Sequence, residues 1–163
     1  MMSCKILGAI VVLSAVAGTA CGSDSTGTTT VQSTKYVATL NGANERPTPN
    51  TSPATGTATY TLTGNTLTYS VSVNGLTGPA TASHLHVGSA AVAGGVIVGY
   101  VTAAVASGTV TSGTIDLSQP ITTGASTISG DSLRTLLNTG NAYANVHTAA
   151  FGGGEIRGQV IKQ

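Results

Sequence analysis

The stretch TLTYSVSVNG at residues 66–75 decides the fold of this chain. Within it, apolar and hydroxyl-bearing side chains alternate, in the order Thr66, Leu67, Thr68, Tyr69, Ser70, Val71, Ser72 and Val73. A period of two is typical of a β-strand with one face on a core and one in water. Short runs of strand character recur from residue 35 onward, separated by Gly, Asn and Pro. The pattern predicts an all-β fold, an antiparallel, Greek-key-like β-sandwich of about seven or eight strands.

Two segments depart from this alternation. The run GGVIVGYVTAAV at residues 94–105 is apolar without alternation, which predicts a strand covered on both faces. In SGDSLRTLLNTG, the leucines fall at helical spacing, with Ser129 or Asp131 available to cap the start and Gly140 to end the segment. This segment predicts one short helix, at about residues 131–139, inserted between strands.

The first twenty residues have the features of an export signal rather than of a folded domain. Lys5 precedes a thirteen-residue apolar run that is too short to span a bilayer comfortably as a permanent helix. The small residues before Cys21 resemble the lipobox of bacterial lipoproteins, in which the cysteine becomes lipidated as the first mature residue. Gly18 departs from that pattern, and ordinary cleavage after Ala20 is the alternative. Either way we expect export: a cell-envelope protein held at the membrane by a lipid on Cys21, or otherwise a secreted one.

The composition of the mature chain excludes some classes of protein. Residues 21–34 are polar and rich in Gly, Ser and Thr, so we expect a flexible tether before a single domain at residues 35–163. Without Lys5, the six basic residues fall to five, which balances the five acidic ones. Such a chain has no excess of positive charge that would attract nucleic acid. Cys4 leaves with the signal, so Cys21 has no cysteine to pair with and the fold depends on its core.

Three histidines and one carboxylate form a candidate metal site. His84 and His86 in ASHLHVG are two residues apart, so in a strand they share a face. His147 alternates with Val146, and Glu155 lies on the opposite side from Ile156. If these strands are neighbours, the side chains of His84, His86, His147 and Glu155 meet. Imidazole with carboxylate suits Zn²⁺ or Cu²⁺.

The same residues are also compatible with a structural role. Histidine and tyrosine are ordinary residues on a solvated strand face, and a polar cluster of Glu45, Arg157, Asn145 and Tyr143 needs no ligand. In this interpretation Glu45 reaches Arg157 and joins the first loop to the last strand. Catalysis is the weakest alternative, because the domain has no free thiol and only two clearly placed carboxylates, Glu45 and Glu155.

Four motifs occur in a fixed order that resembles the CHRD domain, named from chordin and found in many bacterial secreted proteins. They are LNGANERPTPNTSPATGTATYTL, YSVSVNGLTGPATASHLHVG, LLNTGNAYANVHT and GEIRGQV, within about residues 36–160. The resemblance assigns Glu45 to the family's loop glutamate and His84 and His86 to its paired histidines. It also matches Tyr143, Asn145, His147 and Thr148 to one pattern and Glu155, Arg157 and Gly158 to the closing strand. Arg46 and Thr48 depart from the pattern.

The resemblance implies a function only in outline. In chordin the domain belongs to an extracellular protein that binds secreted growth factors. We therefore expect a non-enzymatic binding or scaffolding module at the cell envelope, whose partner is an unidentified protein or envelope component. The alternative is a Zn- or Cu-binding β-sandwich. A distant third is a superoxide dismutase-like or other redox or hydrolytic enzyme, suggested only by fold-level analogy with the His-x-His strand of copper–zinc superoxide dismutase.

Overall fold

The computed structural model describes residues 31–163. The expected export signal at residues 1–20, the lipidation of Cys21 and most of the expected tether lie outside these residues. The first strand begins at Ser33, two residues before the expected start of the domain. Within residues 31–163, no helix combines the length and apolar character needed to cross a membrane.

The described residues form eleven strands, one α-helix and one 3₁₀ turn, and every strand pair is antiparallel. In chain order the elements are β1 (Ser33–Asn41), the 3₁₀ turn (Gly42–Asn44), β2 (Thr55–Thr63), β3 (Thr66–Asn74), β4 (Ala80–Val87), β5 (Val96–Gly99), β6 (Gly108–Asp116), β7 (Ile121–Thr123), β8 (Ser126–Ile128), α1 (Gly130–Asn138), β9 (Ala142–Thr148), β10 (Ile156–Gln159) and β11 (Ile161–Lys162).

One curled sheet carries the fold. Its strand order is β5-β4-β9-β10-β1-β2-β3-β6, and β11 extends the pairing of β1. Tyr100, just after the edge strand β5, stacks on Tyr69 of β3 with ring centroids 4.5 Å apart, and its hydroxyl lies 3.2 Å from that of Tyr60 in β2. Because β5 and β3 lie near opposite ends of the strand order, these contacts require the sheet to curl over its own core. The predicted all-β, sandwich-like fold is confirmed, with a single sheet forming both layers.

The core follows the alternation expected from the sequence. Leu67 and Val71 of β3 are buried, while Thr66, Thr68 and Ser72 on the opposite face are exposed. Buried aliphatic side chains on the inner face exclude water and supply most of the stability.

The predicted helix is also present, at Gly130–Asn138. The hydroxyl of Ser129 accepts a hydrogen bond from the backbone of Ser132 and caps the helix, while Gly140, at φ +66°, follows its end. Leu133 and Leu137 are fully buried, so the helix packs its apolar side on the sheet.

The prediction for residues 94–105 is wrong in part. Only Val96–Gly99 form a strand, and it lies at an edge of the sheet. The strand is covered on both faces as predicted, because the consecutive residues Ile97 and Val98 are both buried. Val101 is 92% exposed. The chain leaves the sheet after Gly99 because β5 and β6 lie at opposite ends of the strand order, so the connection must cross between them. Along this crossing, the carbonyls of Val105 and Ala106 accept hydrogen bonds from the backbone of Ala80 and Leu76.

Replacing Gly158 with alanine should destabilise the sheet at its closure. Gly158 lies on β10 where it passes β1, and a Cβ there would overlap the backbone carbonyl of Thr39. We expect Gly158→Ala to lower the free energy of unfolding by about 1–3 kcal/mol, the range for overpacking. Urea denaturation measures the change. The control is Gly153→Ala, because a Cβ at Gly153 meets no heavy atom within 4 Å. Equal unfolding midpoints for the two variants would contradict this account of the closure.

Candidate metal centre

The three histidines lie on two adjacent strands. β4 pairs with β9 in a register that sets His84 opposite Asn145, His86 opposite Tyr143 and Ala82 opposite His147. Paired residues of an antiparallel ladder point to the same side of the sheet, so all three imidazoles project from one face. The core side of the same strands is occupied by Leu85 and Val146, both fully buried.

The imidazole nitrogens are close enough to serve one ion. His84 Nδ1 lies 3.1 Å from His147 Nε2, and one nitrogen from each of the three rings lies within 4.8 Å of the others. Two nitrogens bound at about 2.0–2.1 Å to a tetrahedral Zn²⁺ are roughly 3.3 Å apart. The pair of His84 and His147 is therefore near ligating separation. The His86 nitrogen lies within 4.8 Å of the other two, so side-chain rotation that draws the rings together would complete the set.

Backbone carbonyls fix the tautomers of two of the rings. His86 Nδ1 lies 2.9 Å from the Gly94 carbonyl, and His147 Nδ1 lies 3.0 Å from the Gly152 carbonyl. A carbonyl can only accept, so each Nδ1 carries the proton and each neutral ring keeps its lone pair on Nε2. A second hydrogen bond that orients the ring in this way is the usual companion of a metal-ligating histidine.

Burial keeps the imidazoles neutral. Burial lowers the pKa of His84 to about 4, with a further contribution from the neighbouring His147 and His86. Burial also lowers the pKa of His86 and that of His147, against the opposing effect of their carbonyl hydrogen bonds. All three rings are therefore uncharged at neutral pH, with one protonated nitrogen and one free lone pair each, the form in which histidine binds a metal.

The nearest neighbours of His86 are polar and aromatic. Tyr143 stacks on the imidazole, with centroids 4.7 Å apart and an interplanar angle of 6°, and Arg157 Cζ lies 3.4 Å from the centre of the Tyr143 ring. Asn145 Oδ1 is 3.1 Å from His86 Nε2. Two acceptors this close require a shared proton or cation, or the opposite amide orientation, in which Asn145 Nδ2 donates.

Glu155 does not join the histidines. Its fully buried carboxylate accepts hydrogen bonds from the hydroxyls of Ser52, Thr77 and Thr148 at 2.6–2.9 Å, and from the backbone of Thr77 at 2.9 Å. Glu155 lies just outside the ladder, because β10 begins at Ile156. Its side chain therefore does not follow the alternation of faces that holds inside the strand. Sequence reasoning misses Ser52 and Thr77, because each is an ordinary loop hydroxyl whose distance in sequence from Glu155 gives no signal of contact.

The polar cluster is present without the expected ion pair. Arg157 lies opposite Asn145 and over Tyr143, as expected of neighbours on one face. Glu45, however, forms no ion pair with Arg157; among residues 31–163 the salt bridge present joins Arg134 to Asp131. The Glu45 carboxyl lies against Gly154, where a Cβ would be 2.5 Å from Oε1. The carbonyls of Gly94 and Gly152, which orient the imidazoles, give no sequence signal beyond their glycine-rich loops.

Together these features define a small, all-β, sandwich-like domain with three converging histidines on adjacent strands. The model of the CHRD domain family matches residues 36–160, which is most of the chain. The chain belongs to the CHRD domain family. No curated protein and no solved structure matches it.

Replacing Glu155 with glutamine should cost stability in a pH-dependent way. Burial opposes ionisation, but hydrogen bonds from Thr148, Ser52 and Thr77 outweigh it and hold the pKa of Glu155 below its usual value of 4.5. The stabilisation is therefore complete above about pH 4.5 and is lost as the pH falls through the lower folded-state pKa. We expect Glu155→Gln to cost about 1.5–3 kcal/mol at pH 7 and less at pH 3, by urea denaturation.

The control for this prediction is Glu45→Gln, the same chemical change with the opposite expected effect on stability. Burial raises the pKa of Glu45 to about 7, against the attraction of Arg157. A raised carboxyl pKa makes ionisation destabilising as the pH rises from about 4.5 through 7. Glu45→Gln should therefore be neutral or stabilising at pH 8. Similar losses in both variants at that pH would show that the two carboxyl environments have been assigned wrongly.

Proposed function

We propose that this chain is an exported, non-enzymatic binding domain whose ligand is a divalent transition-metal ion held by His84, His86 and His147. The single observation that carries the proposal is the convergence of these three neutral imidazoles within 4.8 Å. Two of them have their outer nitrogens held by backbone carbonyls. A ligand set made of imidazole favours Zn²⁺ or Cu²⁺ over Mg²⁺ or Ca²⁺, and Cu²⁺ binds such sites more tightly than Zn²⁺.

The existing contacts allow an ion to enter with little rearrangement. The ion would replace the hydrogen bond between His84 Nδ1 and His147 Nε2, and His84 would carry its proton on Nε2 instead. The rings of His84 and His147 are half-buried, so solvent reaches the cluster. Three protein ligands leave a position for water or for a group from a partner.

Binding rather than catalysis is supported by the placement of the carboxyl groups. A metal-dependent hydrolase needs an acid or base beside the open coordination position. Among residues 31–163, the histidine cluster contains no carboxyl group. Glu155 is held by hydroxyl groups elsewhere, and Glu45 lies against Gly154.

Metal binding should depend on the histidines and not on Glu155. We expect tag-free protein to bind about one equivalent of Cu²⁺ or Zn²⁺ in isothermal titration calorimetry and to melt at a higher temperature with metal than with chelator. A hundredfold excess of the ion over Kd stabilises the native state by about 2.7 kcal/mol. His84→Gln and His147→Gln should each remove both effects, and these half-buried positions are more tolerant of change than His86.

The control for metal binding is Glu155→Gln, which should keep full stoichiometry despite its lower stability. Because the chain has three histidines in all, imidazole-nitrogen coupling in the Cu²⁺ electron paramagnetic resonance spectrum would report this cluster. Parent and histidine variants that bind metal equally would exclude the site. Loss of binding in Glu155→Gln but not in the histidine variants would instead favour the carboxylate as the principal ligand.

The location of the domain is a separate part of the proposal. The apolar run and the small residues before Cys21 support lipidation of that cysteine, which would hold the domain at a membrane surface through its acyl chains. In a bacterial host, Cys21→Ser should abolish incorporation of labelled palmitate and move the protein from the membrane fraction to the soluble exported fraction. An unlabelled parent chain found soluble outside the cell would show ordinary cleavage instead.

A further inference from the structure

A small polar cavity lies beside β10, apart from the histidines. It has a volume of about 90 Å³ and is lined by Asn44, Arg46, Ala90, Arg157 and Gln159. One buried water needs about 10–15 Å³ of such volume, so the cavity has room for a group of several atoms. Two of the five lining residues carry guanidinium groups, and none carries a carboxylate.

Arg157 is a buried cation without an ion pair. The residue is 1% exposed, and no carboxylate of residues 31–163 forms a salt bridge with it. Its Nη2 donates to the carbonyls of Ser89 and Val92 at 2.8 and 2.9 Å, and its Cζ lies over the Tyr143 ring. Its buried Nη1 has no hydrogen-bond partner among the described residues. A buried charge is costly unless it is paired, so a bound anion would stabilise this guanidinium.

Gln159 adds a buried acceptor to the same cavity. Its Nε2 lies 2.6–2.9 Å from the carbonyls of Gly88, Gly140 and Ala142, which fixes the orientation of the amide. Oε1 is buried and has no partner among the described residues. The lining therefore offers cationic donors together with one acceptor, a combination that matches an oxyanion carrying a hydroxyl group.

We propose that this cavity binds a small oxyanion, a carboxylate or a phosphate, whose negative oxygens pair with the guanidinium groups of Arg157 and Arg46. A hydroxyl on the same ligand donates to Gln159 Oε1. Guanidinium presents its N–H groups in a planar fork that matches the oxygens of both anion types. Arg46 reaches the cavity from the loop after β1, where its Nη1 already donates to the carbonyls of Ala43 and Glu45.

The charged groups around the cavity favour binding at mildly acidic pH. Glu45, next to Arg46, is the carboxyl group whose charge interacts with that of Arg157. Burial raises the pKa of Glu45 to about 7, so at pH 6.5 this group is largely uncharged and does not repel an anion. The test is therefore set at pH 6.5, where phosphate also keeps a hydroxyl hydrogen.

The experiment measures thermal unfolding of the tag-free full chain in chelator, so that the histidines hold no metal. The probes are sodium phosphate and sodium glycolate at about 10 mM, compared with NaCl of equal ionic strength. A rise of several degrees in Tm with either probe is expected, as for any ligand bound only by the native state. The probe that produces the rise identifies phosphate or carboxylate as the preferred group. No rise with either probe would overturn the proposal.

Substitution of Ala90 makes the test specific to the cavity without touching the buried Arg157. Ala90 is exposed and lines the cavity, so Ala90→Glu places a tethered carboxylate beside the guanidinium groups. We expect Ala90→Glu to melt higher than its neutral control Ala90→Gln and to lose the response to the probes. Arg46→Gln should reduce that response in otherwise native protein, and His84→Gln should leave it intact. Equal melting of the Glu and Gln variants, or a response that survives in Ala90→Glu, would overturn the proposal.

Discussion

The register between β4 and β9 is the constraint on which the rest of this site depends. It sets His84 opposite Asn145 and His86 opposite Tyr143, and it is fixed from the other side of the sheet by Leu85 and Val146, both fully buried. Because side chains alternate, a shift of one residue would turn the imidazoles into the core and expose those aliphatic groups. Burying one such aliphatic side chain is worth about 1.5–3 kcal/mol. Hydrophobic packing therefore determines where the imidazole nitrogens converge.

Polar side chains next to the histidines hold a single loop in place. The structural role and the proposed metal-binding role of these residues are therefore compatible with each other. Residues 88–95 receive hydrogen bonds from His86, Tyr143, Arg157 and Gln159, all through backbone carbonyls. At Gly94, a Cβ would overlap the carbonyl of Val87, so only glycine allows this approach. The loop in turn covers His86 and fixes its tautomer. Under the metal-binding proposal, the structural polar cluster would also orient His86 toward an ion, so the same contacts would serve both roles.

Local patterns in the sequence predicted the elements, but not the relations between distant ones. The alternation in β3, the helix with its Ser129 cap and the shared face of His84 and His86 all follow from periodicities within a few residues. The curl of the sheet and the crossing after Gly99 depend on strand order, which no local pattern encodes. The position of Glu155 could not be predicted because alternation holds only inside a ladder. The missing Glu45–Arg157 ion pair reflects a loop conformation that the spacing of the charges does not determine.

The ring of Tyr143 lies between the proposed metal site at the histidines and the proposed anion site beside Arg157. β9 lies between β4 and β10, so Tyr143 has the imidazole of His86 on one side and the guanidinium of Arg157 on the other. A metal ion at the histidines would add positive charge one ring away from a buried cation that forms no ion pair within the described part of the chain. An anion beside Arg157 would offset that charge, and both ligands would order the loop at residues 88–95. Since such coupling is reciprocal, each ligand would strengthen the binding of the other by the same factor. Under the two proposals together, the buried arginine would link the binding of an anion to the binding of a metal ion at the histidines.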